Sequence, residues 1–281
     1  MLKKRLVSCL LLRNGLIVQS IGFKKFLPIG KPKYAIEFAS RWDVDEIILL
    51  DISSASKKEL INLSTIEELS ESCFVPLTIG GGISSLSDAK NILKSGADKI
   101  CINSHALRNE RLISQLADLF GTQCVVVSID VNKDREGNYY VHSHNNEKIY
   151  ELNPIKWAKK CEELGAGEIF LNAVHRDGSK KGYDTNLISL VSKEINIPLI
   201  VQGGIGHFNQ FKDGIDAGAS AVSASNIFQH IEHSTIIAKA HLYQSKVNIR
   251  LDSEANYFNR AFDEDGRLIM LDEDTLFNLA T

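Results

Sequence analysis

The sequence lacks an excess of positive charge and a long hydrophobic run. It carries 32 lysine and arginine residues against 35 aspartate and glutamate residues, a formal net charge of -3. This balance creates no basic field that would attract nucleic acid. The longest early apolar run, Leu6–Leu12 interrupted by Ser8, is too short for a bilayer span or a signal peptide. We therefore expect a cytoplasmic protein that binds neither nucleic acid nor a membrane.

Cysteine is present, but without a pattern typical of disulfides or metal ligands. The five cysteines are odd in number and scattered through apolar stretches: Cys9, Cys73, Cys101, Cys124 and Cys161. This distribution predicts thiols in the hydrophobic core. The sequence contains no HExxH or CxxC motif. His142, His144 and His175 are not accompanied by other residues at metal-ligand spacing. We expect no metal and no cofactor.

One segment of the chain occurs twice. Residues 76–104 recur without a gap as residues 198–226. The positions shared by the two copies are Pro76, Leu77, Gly81, Gly82, Ile83, Lys90, Gly96 and Ala97, which recur as Pro198, Leu199, Gly203, Gly204, Ile205, Lys212, Gly218 and Ala219. Each copy runs from an apolar strand through a glycine pair and an amphipathic helix to a second apolar strand. A repeated strand–helix unit predicts a fold assembled from two equal halves.

Apolar strand-like runs alternate with helix-period segments along the whole chain. The predicted strands are Arg5–Leu12, Glu46–Asp51, Val75–Ile79, Lys99–Asn103, Cys124–Asp130, Glu168–Asn172, Pro198–Gln202 and Ala221–Ser225. The clearest predicted helices are Lys57–Ser70, Ser87–Ser95, Ser114–Phe120, Pro154–Leu164 and Phe208–Ala217. Continuous Val, Ile and Leu runs are typical of strands buried on both faces of a parallel sheet.

Eight strand–helix units in about 250 residues predict an α/β fold, a TIM (β/α)8 barrel made of two duplicated half-barrels. An open doubly wound sheet is the alternative, but it gives no reason for two equal halves. We predict that Gly96 and Gly218 end helices in the left-handed conformation, and that Ser85 caps a helix together with Asp88.

The barrel is expected to occupy residues 1–251, followed by an acidic C-terminal extension, residues 252–281. The extension has eight acidic residues against Arg260 and Arg267, and it also contains Tyr257, Phe258 and Phe262. It is either a solvated tail or a packed appendage or docking segment, and its apolar residues favour the second. A hairpin around Asp265-Gly266 is possible within it.

Glycine pairs follow the third and seventh predicted strands, at the end where a TIM barrel carries its active site. Glycine lets backbone N–H groups approach an anion, and the following helix adds its N-terminal dipole. The candidate phosphate-binding residues, with the polar ends of strands four and eight, are Gly81, Gly82, Asn103, Ser104, Gly203, Gly204, Ser225 and Asn226. Two such sites predict a ligand with two phosphates. The alternative is that the glycines only allow tight turns.

Carboxylates lie at the same end of the predicted barrel. Asp51 ends strand two, Asp130 ends strand five, and Asp177 lies in the loop after strand six. A carboxylate at the end of a buried strand costs desolvation energy unless it is paired or used. Asp130 is therefore the candidate general acid or base, and Asp51 and Asp177 are candidate ligand-binding residues. Each could instead be a satisfied turn carboxylate.

Charged residues also mark the opposite end of the barrel, where several strands begin. Arg5, Glu46, Lys99 and Glu168 start strands one, two, four and six. Because alternate strands point into the same layer of a barrel, these four could form a ring of opposite charges. The ring is either a stabilising plug or a gate, and the residues alone favour the plug.

The chain resembles the cyclase subunit of imidazole glycerol phosphate synthase from the N-terminus to about Leu251. The matching stretches are "EIILLDIS", "PLTIGGGISSLSDA", "GADKICINS", "CVVVSIDV", "WAKKCEELGAGEI", "RDGSKKGYD" and "IPLIVQGGI". The resemblance implies a duplicated half-barrel that binds a bisphosphate ligand, with Asn172 and Gly178 among the substrate-binding residues. It also implies a glutaminase partner docked at the barrel bottom, from which ammonia passes up the barrel. On this resemblance the four charged residues at the strand starts correspond to the gate.

The chain departs from the family pattern at the proposed acid–base pair. The family has one catalytic aspartate at the end of strand one and another at the end of strand five. Asp130 matches the second, but Leu11 stands at the first position, and Gln19 stands where the family has a substrate-holding lysine. The segment "HSHNNEKI" also lacks the family's glycine-containing pattern. A general acid or base contributes about 10²–10⁴-fold, so we expect the cyclisation chemistry to be impaired.

The "LLLRNG" form resembles a paralogous branch found with surface-polysaccharide genes. This resemblance implies a barrel that relays ammonia to a third protein, which amidates a sugar. Two alternatives remain open: an authentic cyclase of histidine biosynthesis working with Asp130 alone, and a non-catalytic scaffold that binds phosphate ligands. A related isomerase with the same duplicated barrel fits less well, because "CINS", "RDGSKKGYD" and the charged ring match the cyclase.

Overall fold

The structure, a computed structural model, describes residues 3–53, 59–142, 152–229, 234–251, 257–264 and 269. Its strands, in chain order, are β1 (Arg5–Arg13), β2 (Leu16–Ile21), β3 (Lys25–Gly30), β4 (Glu46–Asp51), β5 (Leu77–Gly80), β6 (Lys99–Ile102), β7 (Val125–Lys133), β8 (Tyr139–Val141), β9 (Glu168–Ala173), β10 (Leu199–Gln202) and β11 (Ala221–Ala224). The helices are α1 (Pro32–Arg41), α2 (Leu63–Ser70), α3 (Leu86–Lys94), α4 (Ser104–Arg108), α5 (Arg111–Phe120), α6 (Pro154–Glu163), α7 (Thr185–Ser192), α8 (Gln210–Asp216) and α9 (Ser234–Gln244).

Eight parallel strands close into a barrel. Their order around the ring is β1, β4, β5, β6, β7, β9, β10 and β11, and β11 pairs with β1 to complete it. These are the eight strands predicted from the sequence, with small differences at their ends, so the TIM-barrel prediction is confirmed. The first half of the barrel is β1, β4, β5 and β6, and the second half is β7, β9, β10 and β11.

The barrel strands are buried on both faces, as their continuous Val, Ile and Leu runs predict. In β7 every residue from Val125 to Val131 is buried. One hydrophobic core lies between the strands and the helices, and a second fills the barrel interior. The interior core includes Cys9, Ile48, Val126 and Phe170. All five cysteines are free thiols. Cys9, Cys101 and Cys161 are buried, as predicted for core thiols, whereas Cys73 and Cys124 are only partly buried.

The helix-end predictions are confirmed with one difference in detail. Gly96 and Gly218 both have positive φ, 109° and 112°. The Ser85 hydroxyl accepts a hydrogen bond from the Asp88 backbone N–H at 3.1 Å. The Asp88 carboxylate also accepts hydrogen bonds from the backbone N–H and the hydroxyl of Ser84, the residue before the cap. Its side chain therefore holds the turn just before α3.

Three strands that the sequence interpretation did not include lie at the top of the barrel. β1 continues through the two-residue turn Asn14-Gly15 into β2, which pairs with β3 in an antiparallel hairpin. Both turn residues have positive φ, 50° and 80°, the geometry that favours Asn-Gly in two-residue hairpins. β8 pairs with the upper end of β7. These strands extend the wall around the carboxyl ends of β1 and β7.

The described part of the C-terminal extension packs on the last helix. Phe258 lies against Tyr243 with ring centroids 4.7 Å apart, and Phe262 meets His241 edge-on at 5.4 Å. The packed appendage predicted for residues 252–281 stays a prediction, and the predicted hairpin turn at Asp265-Gly266 lies outside the described residues. Among the described helices, none combines the length and apolar character needed to cross a membrane.

Candidate active site at the barrel mouth

A cavity of about 450 Å³ opens at the carboxyl ends of the barrel strands. The predicted site residues that line it are Asp51, Gly81, Gly82, Asn103, Ser104, Asp130, Asn172, Asp177, Ser225 and Asn226. Gly178, Gly203 and Gly204 are not among its lining residues. Most of the residues chosen from the ends of predicted strands are thus brought together at one mouth.

Asp130 lies at the centre of a hydrogen-bonded group in this mouth. It stands on β7 in register with Asn172 on β9. Its carboxylate accepts hydrogen bonds from the side-chain amides of Asn103, at 2.8 Å, and Asn172, at 3.2 Å. With an exposure of 4%, the carboxylate is held in one orientation by two neighbouring strands. This arrangement suits a group that exchanges a proton with a bound ligand.

Leu11 lies across the barrel from Asp130, because β1 and β7 are four strands apart in the ring of eight. Its side chain lines the cavity and packs with Leu50 against the interior core. Burial, followed by the charges of Asp130 and Asp177, raises the pKa of the neighbouring Cys9 thiol. The β1 side of the cavity floor is therefore apolar and uncharged. Gln19, on β2 opposite Leu27, does not line the cavity.

Asp177 joins the mouth to the β2–β3 hairpin. Its carboxylate accepts hydrogen bonds from the Ser20 hydroxyl at 2.7 Å and from the Phe23 backbone N–H at 3.0 Å. Gly178 has φ 67°, and a Cβ there would lie 3.0 Å from the Ile21 Cα. Burial is the main cause of a raised pKa at Asp177, and the negative charge of Asp130 adds to it. Asp177 and Gly178, both predicted to bind a ligand, therefore position the β2–β3 hairpin.

Asp51 is held within its own loop. Its carboxylate accepts hydrogen bonds from the backbone N–H of Ser53 at 2.9 Å and from the Ser53 hydroxyl at 2.5 Å. The carboxylate also lines the cavity. The geometry therefore accommodates both the turn role and the ligand-binding role considered for this residue.

The glycine pairs allow neighbouring backbones to pack closely. A Cβ on Gly81 would lie 2.7 Å from the Asp51 carbonyl oxygen, and one on Gly203 would lie 2.8 Å from that of Ala173. All four paired glycines have positive φ. Close packing thus accounts for these glycines without a ligand, and phosphate binding at both pairs stays a prediction.

Several polar residues of the mouth were not identified from the sequence. Arg13 at the end of β1, and His105 and Arg108 on α4, line the cavity. Gln202, the last residue of β10, also does so, and its Oε1 atom is buried without a hydrogen-bond partner. Gln202 could have been identified from the sequence in the same way as Asp130, because it is a polar residue at the end of a predicted strand. Arg13 ends β1 one residue beyond the predicted strand Arg5–Leu12. His105 and Arg108 lie on α4, where the direction of a side chain depends on the path of the preceding loop.

The four charged residues at the base of the barrel form a closed ring. The Glu46 carboxylate forms ion pairs with Arg5 at 2.7 Å and with Lys99 at 3.0 Å. Glu168 receives the same two cations at 3.0 Å and 3.1 Å. The Thr78 hydroxyl donates a further hydrogen bond to Glu46 at 2.9 Å. The predicted ring is therefore present, while its function as a gate stays a prediction.

Metal ligands are not grouped in the part of the chain that the structure describes: it contains no cluster of three His, Cys, Asp or Glu side chains suited to hold an ion.

Comparison with known proteins identifies the family. Residues 5–234 match the family model described as histidine biosynthesis protein. The chain is 46% identical over 269 residues to the putative imidazole glycerol phosphate synthase subunit hisF2 of Vibrio vulnificus, covering 95% of this chain and 98% of that protein. It is 38% identical over 252 residues to imidazole glycerol phosphate synthase subunit HisF of Chlorobium phaeovibrioides, covering 89% and 100%. With the eight-stranded barrel and the mouth described above, these matches show that the chain belongs to the HisF family of histidine biosynthesis proteins.

Proposed function

We propose that this chain is the cyclase-type barrel subunit of a glutamine amidotransferase complex of the imidazole glycerol phosphate synthase type. A glutaminase subunit docks at the base of the barrel and releases ammonia, which moves along the barrel axis to the mouth. The native role is to supply ammonia for the amidation of a surface-polysaccharide sugar by a third protein. The observation that carries this proposal is Leu11, an apolar side chain directly across the barrel from the hydrogen-bonded Asp130.

The base of the barrel supports an ammonia route. The ring residues alternate in charge, and their side chains are between 2% and 18% exposed. Above the ring, the interior is lined by apolar side chains such as Val7, Ile48 and Phe170. A neutral molecule enters such an interior at far lower cost than a cation. The ring and the interior together favour passage of ammonia over ammonium.

The mouth supports delivery of ammonia better than ring closure of an imidazole. Paired acid–base chemistry requires one group to give a proton while another takes one. Directly across the barrel from the Asp130 carboxylate, the cavity offers only the hydrocarbon side chain of Leu11, while the carboxylates of Asp51 and Asp177 are engaged in their own loop contacts. A site that passes ammonia to a separate acceptor does not require the second group. Asp130 would then orient the ammonia or hold a ligand hydroxyl.

The proposal is tested by mixing the purified chain with a glutaminase subunit from the same genome and measuring glutamine hydrolysis. We expect a stable complex and several-fold faster hydrolysis than with the glutaminase alone. Lys99→Met removes one cation of the ring. We expect it to change the rate at which ammonia reaches the mouth. Lys212→Gln, on an exposed face of α8, is the matched control. Failure to bind or stimulate any glutaminase would remove the proposal.

The second candidate function is an authentic cyclase in histidine biosynthesis. It is favoured by the intact Asp130 group and by relatives that are named as imidazole glycerol phosphate synthase subunits. The test is complementation of a histidine auxotroph that lacks its cyclase. Growth at the normal rate would favour this candidate over ammonia supply. If the chain instead supplies ammonia, we expect the wild-type chain not to complement the auxotroph. The Leu11→Asp variant should then complement it, because it restores a carboxylate across the barrel from Asp130.

A further inference from the structure

One helix of the described structure keeps large aromatic side chains on its outer side. Tyr34 and Phe38 on α1 are 58% and 54% exposed. Trp42, at the C-terminal end of α1, lies one turn further along and packs against Phe38 with ring centroids 4.9 Å apart. These three residues form the aromatic face of α1. Single exposed apolar residues are common on protein surfaces, whereas aromatic rings on successive turns form the kind of patch that marks an interaction site.

Positive charge borders the aromatic face. Lys31 and Lys33 at the start of α1, and Arg41 in its last turn, are exposed. The only acidic residue of α1 is Glu37, which pairs with Arg41 at 2.8 Å. The three basic residues outnumber this single acid, so the helix surface keeps an excess of positive charge. The face therefore suits a segment that combines apolar side chains with carboxylates.

The described part of the C-terminal extension lies against the helix beside α1. The Thr235 hydroxyl on α9 donates a hydrogen bond to the Trp42 carbonyl oxygen, which places these two helices side by side. Tyr243 lies two turns beyond Thr235 on the same side of α9. Phe258 of the extension packs on the Tyr243 ring with centroids 4.7 Å apart. The extension therefore contacts the side of α9 that faces α1.

The end of the chain has the composition and the length to cover the aromatic face. Residues 270–281 lie outside the described residues. Their charged side chains are all acidic and their large apolar side chains are leucine, phenylalanine and methionine: Met270, Leu271, Asp272, Glu273, Asp274, Leu276, Phe277 and Leu279. The last described residue before them, Ile269, donates its N–H to the Ala261 carbonyl oxygen at 3.0 Å. Twelve extended residues span up to about 40 Å, whereas neighbouring helices pack about 8–10 Å apart.

We propose that residues 270–281 of this chain dock on the aromatic face of α1. Their apolar side chains cover Tyr34 and Phe38, and their carboxylates lie beside the basic residues that border the face. This is a docking site within the chain, and it involves neither the mouth nor the charged ring of the proposed function. Because α9 and α1 follow the last and the first barrel strands, the docked segment joins two helices beside the pairing of β11 with β1.

The test uses the fluorescence of Trp42. The chain has two tryptophans, and the other, Trp157, is only 5% exposed and reports little on the surface. Acrylamide quenching is measured in the full chain and in a chain that ends at Ile269. The quenching constant should roughly double on truncation, because removal of the segment returns the aromatic face to water. A synthetic peptide of residues 270–281 should reverse this change with half-saturation below about 1 mM, since a tethered segment has an effective concentration in the millimolar range.

Two substitutions separate the aromatic face from the rest of the surface. In Phe38→Gln, truncation should no longer change the quenching, because the apolar surface that holds the segment is lost. Leu119→Gln is the matched control: Leu119 lies on α5 and is 57% exposed, close to the 54% of Phe38, and its substitution should leave the effect of truncation intact. A peptide with Asp272→Asn, Glu273→Gln and Asp274→Asn should bind several-fold more weakly at low salt.

Equal quenching of the full and truncated chains, or no binding of the peptide at millimolar concentration, would overturn the inference. A dimer in sedimentation that persists after truncation and is lost in Phe38→Gln would also overturn it, because a second copy would then cover the face. Protection of Trp42 that requires an added glutaminase would assign the face to that partner instead. The other measurements use the chain alone, so the proposed function stands or falls separately.

Discussion

A glycine at the end of a barrel strand is required here by the backbone beside it. Gly81 meets the Asp51 carbonyl and Gly203 meets the Ala173 carbonyl, at matching places in the two halves. Gly204 extends the pattern, because its carbonyl accepts the Gly182 N–H at 2.9 Å and leaves no room for a side chain. The repeated glycines therefore indicate that the same close backbone packing occurs in both halves, although only Gly81 and Gly82 line the cavity.

Gly204→Ala should destabilise the protein much more than Gly137→Ala. Both glycines have left-handed φ, 100° and 89°, so each substitution incurs about 1–2 kcal/mol of backbone strain. Gly137 has nothing within 4 Å of an added Cβ, whereas Gly204 has the Gly182 carbonyl and, at 3.1 Å, the Arg176 Cβ. Overpacking adds about 1–3 kcal/mol. Urea denaturation of both variants gives the difference, and equal losses would contradict the packing argument.

Single residues were predicted from the sequence where a strand end alone fixes their place. Asp130, Asn103 and Asn172 meet because adjacent parallel strands end at one level, which the order of strands already implies. The contact of Asp177 with the hairpin depended on β2 and β3, which were not predicted. Arg108 depended on the path of the loop into α4, which no periodic pattern specifies.

At the level of elements, Asp184 joins four segments at the start of α7. Its carboxylate caps the helix by accepting from the Leu187 N–H at 3.1 Å. The same carboxylate pairs with the Lys133 ammonium at 2.8 Å. It also forms hydrogen bonds with the His175 ring at 2.9 Å and the Tyr139 hydroxyl at 2.8 Å. These partners come from β7, from the turn after β9 and from β8. One buried carboxylate thus connects the added strand β8 to the barrel wall.

The stabilising effect of Asp184 should disappear at acid pH. Burial alone would raise the pKa of Asp184, but hydrogen bonds from His175 and Lys133 lower it well below its ordinary value of 3.8. A group whose pKa is lowered on folding stabilises the protein above its unfolded pKa, and that contribution is lost as the pH falls toward the folded pKa. At pH 7 we expect Asp184→Asn to lower the free energy of unfolding by about 2–3 kcal/mol.

This prediction is checked by urea denaturation of wild type and Asp184→Asn at neutral pH and again below about pH 3, below the ordinary range of aspartate. The gap between the two proteins should narrow at the lower pH, because wild type then loses stability that the variant never had. Asp118→Asn is a suitable control, since that carboxylate is exposed on α5. A gap that stays constant with pH would contradict the ionic explanation.

The short elements were the least predictable part of the fold, although one of them carried a clear signal. Asn14-Gly15 between apolar runs is typical of a two-residue hairpin turn, and β1 and β2 pair across it. β3 is largely exposed and lacks alternation, so no pattern indicated it. α9 is buried along nearly its whole length, and a helix buried on all sides shows no amphipathic period.

At the scale of the whole molecule, the repeat predicted the closed barrel because two equal halves can complete one ring. The ring closes where the first and last barrel strands meet, by the pairing of β1 with β11. The last helix is tied to the neighbouring junction, between β1 and β4. Lys239 on α9 is 1% exposed and reaches Asp45 at 2.9 Å and Asp43 at 3.3 Å, just before β4. The other Asp45 oxygen accepts the Leu6 N–H of β1 at 2.7 Å.

Lys239→Met should therefore weaken the whole barrel rather than one helix. Removing one partner of a buried ion pair typically costs about 3–5 kcal/mol, because the remaining charge is left uncompensated. Here Asp45 would stay buried beside the seam between β1 and β4. We expect a loss of about that size in the free energy of unfolding, measured by urea denaturation, with a single cooperative transition.

Two further variants separate the buried charge from the loss of a long side chain. Lys212→Met removes the lysine of an exposed ion pair with Asp216 and should cost less than about 1 kcal/mol. Lys239→Met combined with Asp45→Asn should recover part of the loss, because the amide oxygen can still accept the Leu6 N–H while no charge remains at that position. If the double variant is no more stable than Lys239→Met, packing of the α9 side chain, rather than charge pairing across the seam, is what Lys239 contributes.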